Sequence, residues 1–409
     1  MKSRNISLDL FRGFTVLWMV IVNNPGNWGQ IYSFFKHASW NGLGSADFVF
    51  PFFLIAVGAS IPFAYSKRKS LLESDSKIIS HVLIRSIILV SIGLILNGFL
   101  DYNLSELRIP GVLQRIGIVY FFTYLIYLSL NSRLRLILFS SILLVYSYVI
   151  VYCPPPDWDY LQNPIFQYDA KFNLAAYIDR LLMSEHLWKL TKVWDPEGLL
   201  SSVPSIASAL MGIWLSEWMI PESKAEIASK GVTEKGNLQE SKQALFSKSE
   251  SEEYYKNSLI NKSLSFLDIS FEKKVTIAGI TFIVLGLLVG IVFPINKSLW
   301  SSSFVLVTGG IAYLFLILLH SLPKNWQQSK VFDPILMLGR SALFVFVFTG
   351  FFSRILNLPL WENLSTKTII LDCVSIFSTD KTNSLFYSLV YLSFTLAITW
   401  TWRKVYQRI

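Results

Sequence analysis

FKHASWNGLGSADFVFP, residues 35–51, lies between two apolar runs, Leu8 to Val22 and Phe48 to Ala64. Each run approaches the roughly 20 residues that a helix needs to cross a bilayer. The pair reads as a membrane hairpin whose connecting loop falls at a membrane–water boundary. That loop carries His37, one of only four histidines. Asn23, Asn24, Trp28, Trp40, Asn41 and Asp47 surround it in sequence with polar and amphipathic side chains. A neutral imidazole in such a place can accept a proton near neutral pH or attack an acyl group. An interfacial histidine beside aromatic anchors is the simpler alternative.

The remainder of the 409 residues extends the same pattern. Hydrophobic residues make up 53%, aromatic residues 15%, and the mean hydropathy is +0.47. A soluble chain of this composition would expose far too much apolar surface, and long uncharged runs recur. The expected fold class is an all-α polytopic integral membrane protein. The formal net charge of +9 resides mostly in loops on one face, so lipid and not nucleic acid is the expected partner. Leu8 to Val22 has no convincing small-residue cleavage site, and no cleavable signal is expected. Cys153 and Cys373 fall near outer helix ends, which leaves a disulfide between them open.

About ten spans emerge, at 8–24, 47–66, 78–100, 112–130, 134–153, 200–220, 274–294, 299–320, 333–355 and 384–402. An even number puts both termini on one side. Lys2, Arg4, Lys67, Arg68, Lys69, Arg133, Arg135, Lys324, Lys330, Arg403, Lys404 and Arg408 share that side. The opposite side has Lys36, Arg108, Lys297 and a sparser scatter. The positive-inside rule makes both termini cytoplasmic and turns the His37 loop outward. Residues 1–220 then form N-terminal membrane helices with an outward folded loop, 154–199, in which Leu174 to Trp188 looks helical. Residues 221–272, rich in Ser, Lys, Glu and Asn, form a cytoplasmic polar linker, and 273–409 form the C-terminal membrane helices.

Charges inside spans are costly and normally face a cavity or a partner. Arg12, Arg85, Arg115, Glu217 and Arg340 all qualify. Arg12 and Glu217 are close enough to inner helix ends for snorkelling to be the alternative. Arg85 is deeper and reads as an ion-pair partner or anion ligand. RIPGVLQRIG, residues 108–117, combines a Pro-Gly turn with two arginines and Gln114 where the chain re-enters the membrane. WDPEGLL, residues 194–200, sets Asp195 and Glu197 just before the sixth span. They either complement a helix N-terminus or serve His37 or an ammonium group. No P-loop, dinucleotide fingerprint, metal-spaced Cys/His set or Gly-x-Ser-x-Gly elbow is present, and no metal is expected.

At these residues the chain resembles the transmembrane acyltransferases typified by lysosomal heparan-α-glucosaminide N-acetyltransferase, which include bacterial homologues. The stretches that carry the resemblance are SLDLFRGF (7–14), VNN (22–24), FKHASWNGLGSADFVFP (35–51), RIPGVLQRIG (108–117), AAYIDRLL (175–182), WDPEGLLSSVPSI (194–206) and PINKSLWSSSFV (294–305). The resemblance implies acetyl transfer from acetyl-CoA to the amine of a terminal glucosamine across the membrane. It places the family's active-site histidine on His37 and its functional asparagine on Asn23. Arg340, in MLGRSALFVF, departs from the family pattern and leaves the acceptor open. The implied setting is a bacterial inner membrane, with the His37 loop periplasmic.

On this reading His37 is general base or transient acyl carrier, and Asn23 donates to the thioester oxygen or oxyanion. Arg85 and Arg12 hold the anionic CoA moiety. Asn41, Asp47, Asp195 and Glu197 bind the amino-sugar or glycan acceptor. O-acylation of a surface polysaccharide is one alternative. A solute transporter is another, and it would show broken helices in paired halves. A homodimer is left open.

Overall fold

The first helix, α1 (Ile6–Asn23), begins where the Asn5 side chain accepts the Leu8 N–H at 3.0 Å. Comparable caps start α3 (Asp75–Gly98) from Ser74 and α5 (Ser132–Tyr152) from Asn131. These side chains satisfy N–H groups that a helix cannot pair internally. They mark helix starts that hydropathy alone leaves blurred. The computed structural model describes residues 5–100, 102–158, 169–231, 270–361, 364–375 and 379–406, and the side chains of all these but 221–231 and 406. The fold is helical throughout the described residues, apart from a short ribbon of β1 (Pro359–Trp361) and β2 (Leu364–Ser365).

The other helices are α2 (Val49–Lys69), α4 (Val112–Ser129), α6 (Leu174–Met183), α7 (Leu199–Gly231), α8 (Phe271–Val289) and α9 (Ser302–His320), followed by α10 (Lys324–Gln327), α11 (Asp333–Arg340), α12 (Ala342–Leu356), α13 (Thr366–Val374) and α14 (Asp380–Tyr406). Eight of the described helices are long and apolar enough to cross a membrane, and α11 with α12 makes nine if that bent pair is one span. The chain is a polytopic membrane protein. The expected span 274–294 is not among these: its helix, α8, ends at Val289 and opens on the three charges Glu272, Lys273 and Lys274. The expected span 333–355 is bent by 84° between α11 and α12. At the break Ser341 leaves helical geometry, and Arg340 Nε lies 3.3 Å from Asp9 Oδ2 on α1.

Two of the other expectations change in detail. The helical run Leu174 to Trp188 stops at Met183, because Ser184 takes a left-handed φ of +46°. The polar linker 221–272 begins as a continuation of α7 to Gly231, and its residues 232–269 lie outside the described residues. Cys153 and Cys373 are both free.

The core gathers around α2 and α7, whose backbones touch. A Cβ at Gly58 would lie 1.8 Å from the Ala209 carbonyl oxygen, and one at Gly212 would lie 2.0 Å from that of Ile55. Small residues permit this approach between membrane helices. One apolar cluster joins α2, α4, α5, α7 and α9, and a second joins the later part of α1 to α11, α12 and α14. The loops 24–44, 99–111, 184–198 and 290–301 meet at one end of the bundle. Trp40 packs edge-on against Trp194 with ring centroids 5.1 Å apart, and Gly42 N–H donates to the Ile295 carbonyl at 2.7 Å.

Candidate active site

The α1–α2 loop is folded by its own backbone and by the loop before α9. Gly42 has φ +113°, a conformation that only glycine adopts without strain, and this turn returns the chain to Asp47. Asp47 lies in a 3-10 turn, Ser45–Phe48, at the entrance to α2 and is 1% exposed. Its Oδ2 accepts the backbone N–H groups of Ala38 at 3.0 Å and Gly44 at 2.9 Å. Its Oδ1 is 2.6 Å from His37 Nδ1. Lys297 Nζ lies 3.4 Å from the same Oδ1 and 3.1 Å from Nδ1.

Four N–H groups converging on one carboxylate are the surroundings of an ionised group. An ionised carboxylate can only accept, so the Nδ1 proton belongs to the bond with Asp47, and in the neutral imidazole Nε2 carries the lone pair. Nε2 meets no partner among the described residues, and the His37 side chain is 39% exposed. The arrangement is an oriented imidazole with its basic nitrogen free. Burial pushes the Lys297 ammonium below the ordinary lysine range, against the opposite pull of Asp47 and Glu197. Beside the trio, Asn296 Nδ2 donates to Asn41 Oδ1 at 3.1 Å, which ties the two loops together.

Asp195 and Glu197 are engaged elsewhere. Arg108 reaches Asp195 through Nε at 2.8 Å and Nη2 at 2.6 Å, and Nη2 also lies 2.6 Å from Glu197 Oε2. Burial alone would lower the Arg108 pKa, but the two carboxylates raise it above the usual arginine range. The carboxylate that orients His37 is therefore Asp47. Arg108 also lines a cavity of about 200 Å³ with Asn23, Asn24, Asn97, Gln114, Thr349, Ser353 and Arg354. Asn23 thus lines this cavity, and among the described residues no hydrogen bond joins it to His37. Arg115 is buried, bonding the Gly198 carbonyl at 3.0 Å and Ser201 Oγ at 2.5 Å, with its guanidinium against the rings of Trp300 and Phe50.

The remaining two cations lie away from the trio. Arg85 is exposed on α3 with its guanidinium 5.3 Å from the centre of the Tyr120 ring. Arg12 donates to Ser60 Oγ at 2.8 Å and lies 3.4 Å from Asp9 Oδ1, so it is anchored inside the bundle and does not snorkel. Glu217 likewise does not snorkel, because it is buried 2.7 Å from Arg135 Nη2.

No family model matches the chain. It is 27% identical over 393 aligned positions to heparan-alpha-glucosaminide N-acetyltransferase from Mus musculus, and equally so to that of Homo sapiens. Each alignment covers 83% of this chain and 52% of the relative. The chain is a distant homologue of heparan-alpha-glucosaminide N-acetyltransferase. It spans about half the length of the curated relatives it matches.

Lys297 is the site residue that sequence reasoning left without a role. Its signal was its rarity, as one of few cations assigned to the outward side. Asn296 was missed, and Arg108 was singled out without its role, for a related reason. Their partners, Asn41 and the Asp195–Glu197 pair, are distant in sequence. Among the described residues no group of His, Cys, Asp and Glu is arranged to hold a metal ion.

Proposed function

We propose that this protein moves an acetyl group from acetyl-CoA to the amine of an amino sugar of the terminal glucosamine type. The observation that carries the reading is the His37–Asp47 pair, which holds the imidazole through Nδ1 and leaves Nε2 without a protein partner on a part-exposed side chain. The distant kinship to an N-acetyltransferase supports it. The sugar amine attacks the thioester carbonyl, a C–N bond forms, and the C–S bond breaks. His37 takes the ammonium proton as general base and passes it to the departing CoA sulfur. If His37 instead carries the acetyl group, Nε2 makes the first attack and the amine the second. Asn23 is assigned to the oxyanion. Asn41, Asp195 and Glu197 are assigned to the acceptor side, the last two through Arg108.

Arg85, exposed on α3, and Arg12 after it are assigned to the CoA phosphates. The proposed setting is a bacterial inner membrane with the termini cytoplasmic and the His37 loop periplasmic. Single-turnover acetylation of glucosamine by purified protein tests the reading. His37→Ala should lower the rate by about two to four orders of magnitude, with CoA affinity preserved. Near-normal turnover in the folded variant removes His37 from the chemistry. An acetylated wild-type protein, trapped without acceptor and missing in His37→Ala, selects the carrier route.

A further inference from the structure

Lys297 reaches His37 from a turn, Asn296 to Ser301, that the chain fixes at nearly every residue. Asn296 Oδ1 accepts the Leu299 N–H at 2.8 Å. The Trp300 N–H donates to the Lys297 carbonyl, and the Ser301 N–H to that of Asn296, each at 3.0 Å. Trp300 takes a left-handed φ of +52°, which is unfavourable for a bulky side chain. It is held there by full burial of the ring and by the bond from its Nε1 to Ser208 Oγ at 3.1 Å. Backbone strain kept in place by such surroundings gathers at functional sites. The polar side chain that this turn sends to the His37–Asp47 pair is Lys297.

Charge decides what it does there. Nζ lies 3.4 Å from Asp47 Oδ1 and 3.1 Å from His37 Nδ1. The Nδ1 proton is committed to Asp47 at 2.6 Å. A nitrogen that carries a proton cannot accept another hydrogen bond, so the partner of Lys297 is the carboxylate. That carboxylate and part exposure of the side chain to water, 23%, keep the amine charged. The next charges that Lys297 feels are Glu197 and Arg115, one of each sign. Asp47 and Lys297 therefore cancel. Attack on a thioester builds negative charge first on the carbonyl oxygen and then on the sulfur. An unbalanced buried carboxylate behind the imidazole would oppose both, whereas a balanced one still holds Nδ1 and opposes neither.

We propose that Lys297 is a positioning residue for acetyl transfer, acting through Asp47 to keep the carboxylate behind His37 electrically balanced. It touches neither substrate. The inference rests on the acetyltransferase reading and adds the loop before α9 to the machinery of that reaction.

The test is single-turnover acetylation of glucosamine by the full-length protein, with acetyl-CoA and glucosamine each varied. Lys297→Met keeps most of the stem and removes the charge. Its maximal rate should fall by about 10- to 100-fold, less than in His37→Ala because the base remains. Half-saturating concentrations of both substrates should stay within about twofold. Lys297→Arg should recover part of the rate. In a background without Cys153 and Cys373, folded Lys297→Cys should regain rate when alkylated with 2-bromoethylamine, which restores an ammonium, and not with iodoacetamide. Adding Lys297→Met to His37→Ala should cost nothing further, since the two act in series. A full maximal rate in Lys297→Met, a loss confined to substrate affinity, equal recovery with both alkylating reagents, or losses that multiply in the double variant overturns the proposal. Those results leave the enzyme reading standing if wild-type protein acetylates glucosamine. Wild-type protein that acetylates no amino sugar overturns both.

Discussion

Asp47→Asn isolates what the carboxylate does for His37. The amide has one acceptor and one donor end. If its oxygen stays on the Ala38 and Gly44 N–H groups, its NH₂ meets His37 Nδ1. The imidazole proton then moves to Nε2, where it blocks base function. Single-turnover acetylation should fall by about two to four orders of magnitude, as in His37→Ala, with little change in Tm. A near wild-type rate would show that the tautomer is immaterial. His37 and Asp47 were both legible as polar residues of one loop, 10 residues apart, but the sequence assigned Asp47 to the acceptor and the orienting role to Asp195 or Glu197. Lys297 is 260 residues from His37, and no local pattern announces such a contact. Asp195 and Glu197 were visible as charges, but their commitment to Arg108 depends on how two loops meet in space.

At the scale of elements, α6 is tied to the start of α7 by Asp179, whose Oδ1 accepts the Leu199 N–H at 2.9 Å. Burial raises the Asp179 carboxyl to about 6, with Asp195 adding to the rise and the Leu199 bond opposing it. A folded pKa above the unfolded value means that the native state holds the proton longer. This group's favourable contribution is complete below pH ~4 and is lost as pH rises through about 6. The loss is on the order of 3 kcal/mol. Asp179→Asn keeps an acceptor for Leu199 and removes the charge. Its Tm advantage over wild type should widen from pH 5 to pH 8; a constant or shrinking difference would contradict the assignment. The membrane helices themselves were legible from hydropathy, since long apolar runs leave few alternatives. The break after Arg340 was not, because averaging over a window erases a bend, and the Arg340–Asp9 contact beside it spans 331 residues. The end of α6 was misjudged because the sequence does not reveal that Ser184 leaves helical conformation.

For the whole molecule, sidedness is the property that the proposed chemistry most depends on. Trp28→Cys lies in the His37 loop, and Ser70→Cys follows α2 at the other end of the bundle. In a background without Cys153 and Cys373, a membrane-impermeant maleimide should label Trp28→Cys in intact spheroplasts and Ser70→Cys only after disruption. The opposite result inverts the topology. The all-α, many-spanning architecture was readable because composition constrains it. The meeting of four loops at one end was not readable, because it follows from how the helices pack. The backbone contact of α2 with α7 has a consequence for genetics. Where Gly58 and Gly212 touch the opposing helix, even one added methyl group must push two backbones apart, at about 1–3 kcal/mol. A loss-of-function screen should therefore return two kinds of null allele. Alanine at Gly58 or Gly212 should deplete the protein from the membrane fraction, and an immunoblot would reveal it. Alanine at His37 should leave the band at full strength and abolish the product, so the blot alone would sort the alleles that break the scaffold from those that silence it.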